Sequence, residues 1–244
     1  MAAALHFRSV CRTDCGRVRT VNQDAFLAVD NVGLWAVSDG MGGHASGEIA
    51  SAQVTNRLME IANSPERPVS RTAVEHALRR ANCELQERSS ASGLRLGMGA
   101  TAAVFCANDT RYLCMWVGDS RIYRLHEGAL ALLTHDHRYV QELVDSGVMG
   151  QAAARNHPMR NILTRAIGLE PILQIDECEG TIATEDVFLI ATDGVTGVCA
   201  DHEIASILSH PDLAHAADQI VTRCKERGSP DNLTLILVKA TGSI

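Results

Sequence analysis

The sequence predicts an α+β protein in which antiparallel β-sheets carry helices packed on their outside. Two observations lead there: the strand-forming segments arrive as hairpins, and the helical segments arrive in pairs. That segregation disfavours a parallel βαβ sheet, in which strands and helices would alternate. Residues 25–38 read as a hairpin that turns at Asp30-Asn31-Val32-Gly33. A helix is expected over 46–62, where Ile49, Val54, Leu58 and Ile61 share one face. A second is expected over 72–88, with Thr72 and Glu75 at capping-box spacing and Val74, Leu78, Ala81 and Leu85 as its apolar stripe. Residues 100–133 form the clearest β region. There 100–107 and 112–117 flank Asn108-Asp109-Thr110, and 122–125 and 130–133 flank Glu127-Gly128. A short helix over 139–144 follows. The stretch 147–175 carries Gly, Pro and His without periodicity and is expected to be an irregular surface excursion, a kind of segment that often carries substrate contacts. Strands at 187–191 and 233–239 bracket two helices, over 202–209 and 212–226, with Asp201 and Asp212 as N-caps. No repeat, low-complexity segment or linker interrupts the chain, so 1–244 reads as a single domain.

Composition narrows the function classes. Apolar residues make up 46% of the chain and aromatics only 4%, so the core is expected to be Ala, Val, Leu and Ile. A net charge of −7 argues against broad nucleic-acid binding and against an anionic membrane surface. The eight cysteines form no C-x-x-C pair, and several sit inside apolar runs, as buried free thiols do. The start Met1-Ala-Ala-Ala-Leu-His has neither a basic region nor a sustained apolar stretch, and no run approaches the about 18 apolar residues that cross a bilayer. A cytoplasmic protein is expected.

Four aspartates carry the functional signal. Asp39 in Leu34-Trp-Ala-Val-Ser-Asp-Gly40, Asp119 in Met115-Trp-Val-Gly-Asp-Ser120 and Asp193 in Phe188-Leu-Ile-Ala-Thr-Asp-Gly194 each end a β-forming run; Asp231 in Ser229-Pro-Asp-Asn232 precedes one. A small neighbour lets the backbone bend sharply, so each carboxylate can project from a rigid element into a cleft. One Asp-Gly is an ordinary hairpin turn. Four such sites at strand ends point to convergence on a hard, oxygen-loving cation such as Mg²⁺ or Mn²⁺. Two bridged ions lower the pKa of a shared water from about 15.7 to about 7 and neutralise phosphoryl oxygens. A phosphoester substrate also wants a guanidinium, and Arg17 and Arg19 stand just ahead of Asn22-Gln23-Asp24. The chain has no G-x-x-x-x-G-K-[ST] loop, no D-x-D pair, no kinase signature and no EF-hand loop.

In order, the motifs resemble the metal-dependent protein Ser/Thr phosphatases of type 2C in their compact bacterial form. The resemblance is carried by Thr13-Asp-Cys-Gly-Arg-Val-Arg-Thr-Val-Asn-Gln-Asp-Ala25, Ser38-Asp-Gly-Met-Gly-Gly-His44, Met98-Gly-Ala-Thr101 and Val117-Gly-Asp-Ser-Arg121. It continues through His157-Pro-Met-Arg-Asn-Ile-Leu-Thr-Arg-Ala-Ile-Gly168, Ala191-Thr-Asp-Gly194 and Pro230-Asp-Asn-Leu-Thr234. It implies a central sandwich of two antiparallel sheets with a helix pair on each outer face, in α-β-β-α layers, and a dinuclear Mn²⁺ or Mg²⁺ centre at one end. Asp39 would bridge both ions and the Gly40 carbonyl would bind one of them; Asp193 and Asp231 would bind the other. Asp24 would act through coordinated water, and Asp119 would bind a third, weaker ion. Arg19 matches the phosphate-binding arginine, and residues 147–175 match a flap beside the active site. Two departures stand out: Gln23 replaces the usual Glu, and Met41 replaces a histidine proposed as general acid in eukaryotic members. Bound water is then expected to protonate the leaving alkoxide, with His44 as the side-chain alternative. The resemblance implies hydrolysis of phosphoserine and phosphothreonine, opposing a partner Ser/Thr kinase that is itself a target along with its substrates, by a monomer. The rival readings are a non-catalytic phosphoprotein-binding member and a hydrolase of small phosphomonoesters.

Overall fold

A computed structural model describes residues 5–42, 46–93, 97–169 and 171–242. The first sheet takes the order β1 (Leu5–Asp14), β11 (Leu233–Gly242), β10 (Val187–Ala191), β7 (Arg121–His126) and β8 (Ala129–Leu132). The second takes β2 (Asp24–Val29), β3 (Leu34–Met41), β5 (Ala102–Asn108), β6 (Arg111–Val117) and β9 (Asp176–Thr181), with the two-residue β4 (Gly99–Ala100) paired to the end of β3. Every pairing is antiparallel.

The side chains of each central strand divide between two cores, because successive residues point to opposite faces. From β3, Leu34 and Ala36 join Val104 and the helices, while Trp35 and Val37 join the layer between the sheets. From β10, Leu189 faces helices and Phe188 and Ile190 face the other sheet. Burial on both faces explains why these antiparallel strands read as unbroken apolar runs. Helices α1 (Ser46–Asn63) and α2 (Arg71–Ala91) cover the second sheet with Val54, Leu58, Leu78 and Leu85. Helices α6 (Asp201–Leu208) and α7 (Leu213–Glu226) cover the first with Ile204, Leu208, Ala217 and Ile220. The result is the α-β-β-α stack that the sequence led us to expect. The few aromatics are not spread through it: Trp35, Phe105, Tyr112 and Phe188 gather between the sheets, Phe105 and Phe188 with ring centroids 4.4 Å apart. The centre of the core is therefore aromatic, and its outer layers are the expected aliphatic packing apart from the buried Tyr123.

Some element boundaries differ from expectation. Helix α2 begins at Arg71 because Ser70, not the Thr72/Glu75 pair, caps it; the Ser70 hydroxyl accepts from the Ala73 amide at 3.2 Å. Asp201 is the first residue of α6 and not its cap, and Glu203 reaches back to accept from the Ala200 amide at 3.1 Å. Asp212 does cap α7, accepting from Ala214 and His215. Two strands were not expected, β1 and β9. Helix α3 (Tyr139–Asp145) follows the β region, and the described residues of the stretch after it hold one short helix, α4 (Gln151–Arg155), among turns. Among the described residues no helix is long and apolar enough to cross a membrane.

Candidate metal centre

The pairing pattern brings the beginnings of β2, β5, β7 and β11 to the same end of the sandwich as the ends of β1, β3, β6 and β10. The aspartates sit at that end. Asp24 opens β2 and is the register partner of Asp39 near the end of β3. Asp119 follows β6 in a turn that Gly118 makes at φ +100°, Asp193 opens the short helix α5 (Asp193–Thr196) after β10, and Asp231 precedes β11. Asp39, Gly40, Asp119, Asp193, Asp231 and Arg19 line one cavity of about 420 Å³.

Asp39 does not lie on a tight turn, as its Asp-Gly neighbour suggested; β3 continues through it to Met41. Gly40 is required for a different reason. A Cβ there would lie 1.9 Å from the Gly47 carbonyl oxygen at the start of α1 and 2.7 Å from the Gln23 carbonyl oxygen. Gly194 next to Asp193 has the same need, since its Cβ would lie 1.8 Å from the Asn232 carbonyl oxygen. Close backbone approach, not turning, is what these two glycines permit.

Neutral donors frame the carboxylates. The Asp39 amide donates to the Thr101 hydroxyl at 2.9 Å, and that hydroxyl shares a hydrogen bond with Ser120, beside Asp119, at 2.7 Å. The Thr192 hydroxyl donates to Asp24 Oδ2 at 2.9 Å, while Asp24 Oδ1 is buried without a hydrogen-bond partner. Asn232 accepts from the Gln23 amide at 2.8 Å and donates to the carbonyls of Cys15 and Val21, tying the Asp231 turn to the segment that carries Arg19. Two arginines supply positive charge. Arg19 Nη2 donates to Asp231 Oδ2 at 2.8 Å. Arg138, which the sequence reading did not single out, donates from Nε to Asp119 Oδ2 at 2.6 Å and from Nη2 to Asp193 Oδ2 at 2.9 Å. A guanidinium has no sequence signature of its own; the only sign was the polar run Thr134-His-Asp-His-Arg138 between a strand and a helix.

Crowding like charges in a partly dry cavity raises their proton affinity. Burial, then the charges of Asp24, Asp193, Asp119 and Asp231, push Asp39 well above the usual carboxylate range. Burial lifts Asp24 to about 6, with the neighbouring Thr234 and Thr192 hydroxyls pulling the other way. Burial and then Asp119 lift Asp193 to about 7, with Arg138 pulling the other way. Asp119 is also raised by burial, and Arg138 offsets part of that rise. Among the described residues, no three His, Cys, Asp or Glu side chains stand together as a closed ligand set; Asp231, Asp119 and Asp193 are paired with arginines instead. The donor chemistry nevertheless suits a hard divalent cation, since all the candidate ligands are oxygens, the negative charge is under-compensated, and one buried carboxylate oxygen lacks a partner. His44 lies outside the described residues.

The family model of protein phosphatase 2C matches residues 13–238. The serine/threonine phosphatase stp of Listeria welshimeri is 34% identical over 236 residues, spanning 93% of this chain and 94% of that one. Among solved structures, PppA, a key regulatory component of T6SS in Pseudomonas aeruginosa, superposes with a TM-score of 0.89 at 34% identity over 98% of this chain and 99% of that one. The catalytic domain of PstP in complex with two manganese ions superposes with a TM-score of 0.89 at 28% identity, covering 97% of this chain and 99% of that one.

Proposed function

The chain belongs to the protein phosphatase 2C family, and from that premise we propose that it hydrolyses phosphoserine and phosphothreonine in proteins at a centre for two Mn²⁺ or Mg²⁺ ions. One observation carries the reading: Asp39, Asp193, Asp231 and Arg19, drawn from four distant parts of the sequence, line a single cavity. Asp39, Asp193, Asp231 and the Gly40 carbonyl would hold the ions, with Asp24 acting through water. When bound, the ions supply an activated water and neutralise the oxygens of the phosphoryl group.

The rest of the work belongs to the chain. Arg19 is half exposed at the cavity rim, so its fork can take two phosphate oxygens while its contact with Asp231 keeps it aimed inward. Thr101 and Ser120 hold the Asp39 backbone and the Asp119 turn in fixed relation. Asn161, Leu163, Thr164 and Arg165 line the same cavity, which supports the reading of 147–175 as a flap that meets the substrate. Asp119, the expected ligand of a third ion, is charge-paired with Arg138, which also reaches Asp193.

We place the enzyme in a reducing cytoplasm, where its eight free thiols are at home, and take it to act as a monomer. Its targets would be a Ser/Thr kinase and that kinase's substrates, and 1–244 would be one catalytic domain. Phosphate release from a phosphothreonine peptide should require Mn²⁺ or Mg²⁺, stop on chelation, and fall about 10²–10³-fold in Asp39→Asn. Turnover that survives chelation overturns the reading.

A further inference from the structure

We propose that Arg138 is a resident cation of this centre: its guanidinium takes the place between Asp119 and Asp193 that a third divalent ion would otherwise use, so the enzyme works with two ions. This rests on the phosphatase reading for the two ions that it leaves in place. The guanidinium spans both carboxylates, Nε to one and Nη2 to the other, at 2.6 and 2.9 Å. It is well buried, its side chain 15% exposed, and Asp119 is more so at 6%.

Backbone pairing fixes where the side chain starts. Arg138 is bridged to Leu163, the Tyr139 amide donates to the Ile162 carbonyl at 2.9 Å, and the Thr164 amide donates to the His137 carbonyl at 2.9 Å. Behind it, Arg121 clasps Asp136 through two hydrogen bonds at 2.8 and 2.7 Å, and Asp136 lies 3.8 Å from Arg138 Nε. Charges therefore alternate inward: Arg121, Asp136, Arg138, then the Asp119 and Asp193 pair.

An ion entering between Asp119 and Asp193 faces two unfavourable outcomes. If Arg138 stays, a divalent ion and a guanidinium share the same two carboxylates at close range, and they repel. If Arg138 yields, a buried guanidinium loses both strong partners, and an unpaired buried charge is strongly destabilising. A fixed guanidinium delivers part of the same screening with no dependence on metal supply. It also occupies Asp193 Oδ2, which would leave Oδ1 for the two ions.

The test counts Mn²⁺ by equilibrium dialysis with elemental analysis up to millimolar metal, with circular dichroism to check folding. Wild type should bind two ions per chain. Arg138→Gln should bind a third, its affinity raised about tenfold or more over any third ion in wild type, and Asp119→Asn on that background should remove it. Arg138→Lys, which keeps a charge and is less disruptive, should stay at two. Three ions in wild type, the third lost in Asp119→Asn, would overturn the proposal, as would Arg138→Gln remaining at two. No ion in wild type would instead sink the two-ion reading, so the two failures are distinguishable.

Discussion

Asp24 and Asp39 face one another across neighbouring strands, and at least two further carboxylates act on Asp39 through the cavity. Asp24 protonates near 6 in the fold against an ordinary value of 3.8, so folding takes up a proton there. Stability from such a group is complete below the unfolded value and is lost as pH rises through the folded one. Asp24 therefore withdraws stability between about pH 4 and 6, and Asp193, lifted to about 7, does so to slightly higher pH. His137 works the opposite way over part of that range, because burial lowers it, so a difference between proteins is the clean measurement. In chelator at about pH 8, Asp24→Asn should be more stable than wild type by about 1–2 kcal/mol in urea denaturation, and the gain should vanish near pH 4. An equal gain at both pH values would mean that the charge is not the cause. At this scale the sequence was informative about carboxylates and silent about their counter-ions. An Asp-Gly at a strand end has a local reason to be noticed; Arg138 matters only because β6, α3 and α5 meet around it.

At the scale of elements, backbone contact sets the geometry of the ligands. Gly194 lets the first turn of α5 lie against the Asn232 carbonyl, which couples the Asp193 helix to the Asp231 turn. Gly194→Ala would press a Cβ into backbone that has little room to move, at an expected cost of about 2–4 kcal/mol, with weaker Mn²⁺ binding measured by calorimetry. A control at the far end of the same layer is Asp212→Ala, which removes the α7 cap and should cost about 1 kcal/mol without changing Mn²⁺ affinity. If Gly194→Ala binds Mn²⁺ as wild type does, the close approach is not what positions the ligands. Helices were legible in the sequence where an apolar stripe recurred, as in α1, whose expected start at residue 46 matches its observed start at Ser46. Strand β9 was not, because Asp176-Glu-Cys-Glu-Gly-Thr181 has no strand propensity and is held by pairing with β6 at a sheet edge. Strand β1 is legible in hindsight: Leu5, Phe7 and Cys11 alternate toward the inter-sheet core, but Ser9 on that face and Val10 on the other break the period.

For the whole molecule, a stack held together far from the cavity tolerates a destabilised end. The inter-sheet core of Trp35, Phe105, Phe188 and Ile236 is fully buried and shares no residue with the carboxylate cluster. The cluster can then hold like charges close together, and a ligand that neutralises them should return the stability they withdraw. Binding only the folded state adds about 2.7 kcal/mol when the free ion is at a hundredfold excess over its Kd. For a protein of this size that is worth about 5–10 °C in Tm. Mn²⁺ should therefore raise the melting temperature by about that amount over chelator, and the ions should displace protons from Asp39, Asp24 and Asp193, whose carboxyls are raised in their absence. Calorimetry in two buffers of different ionisation enthalpy reads that proton release directly. Asp39→Asn should lose most of both effects while melting above wild type in chelator, because it removes one of the crowded carboxylates and leaves the core untouched. A shift in Tm with no proton release would show that the ions bind elsewhere, away from the strained carboxylates at the open end of the sandwich.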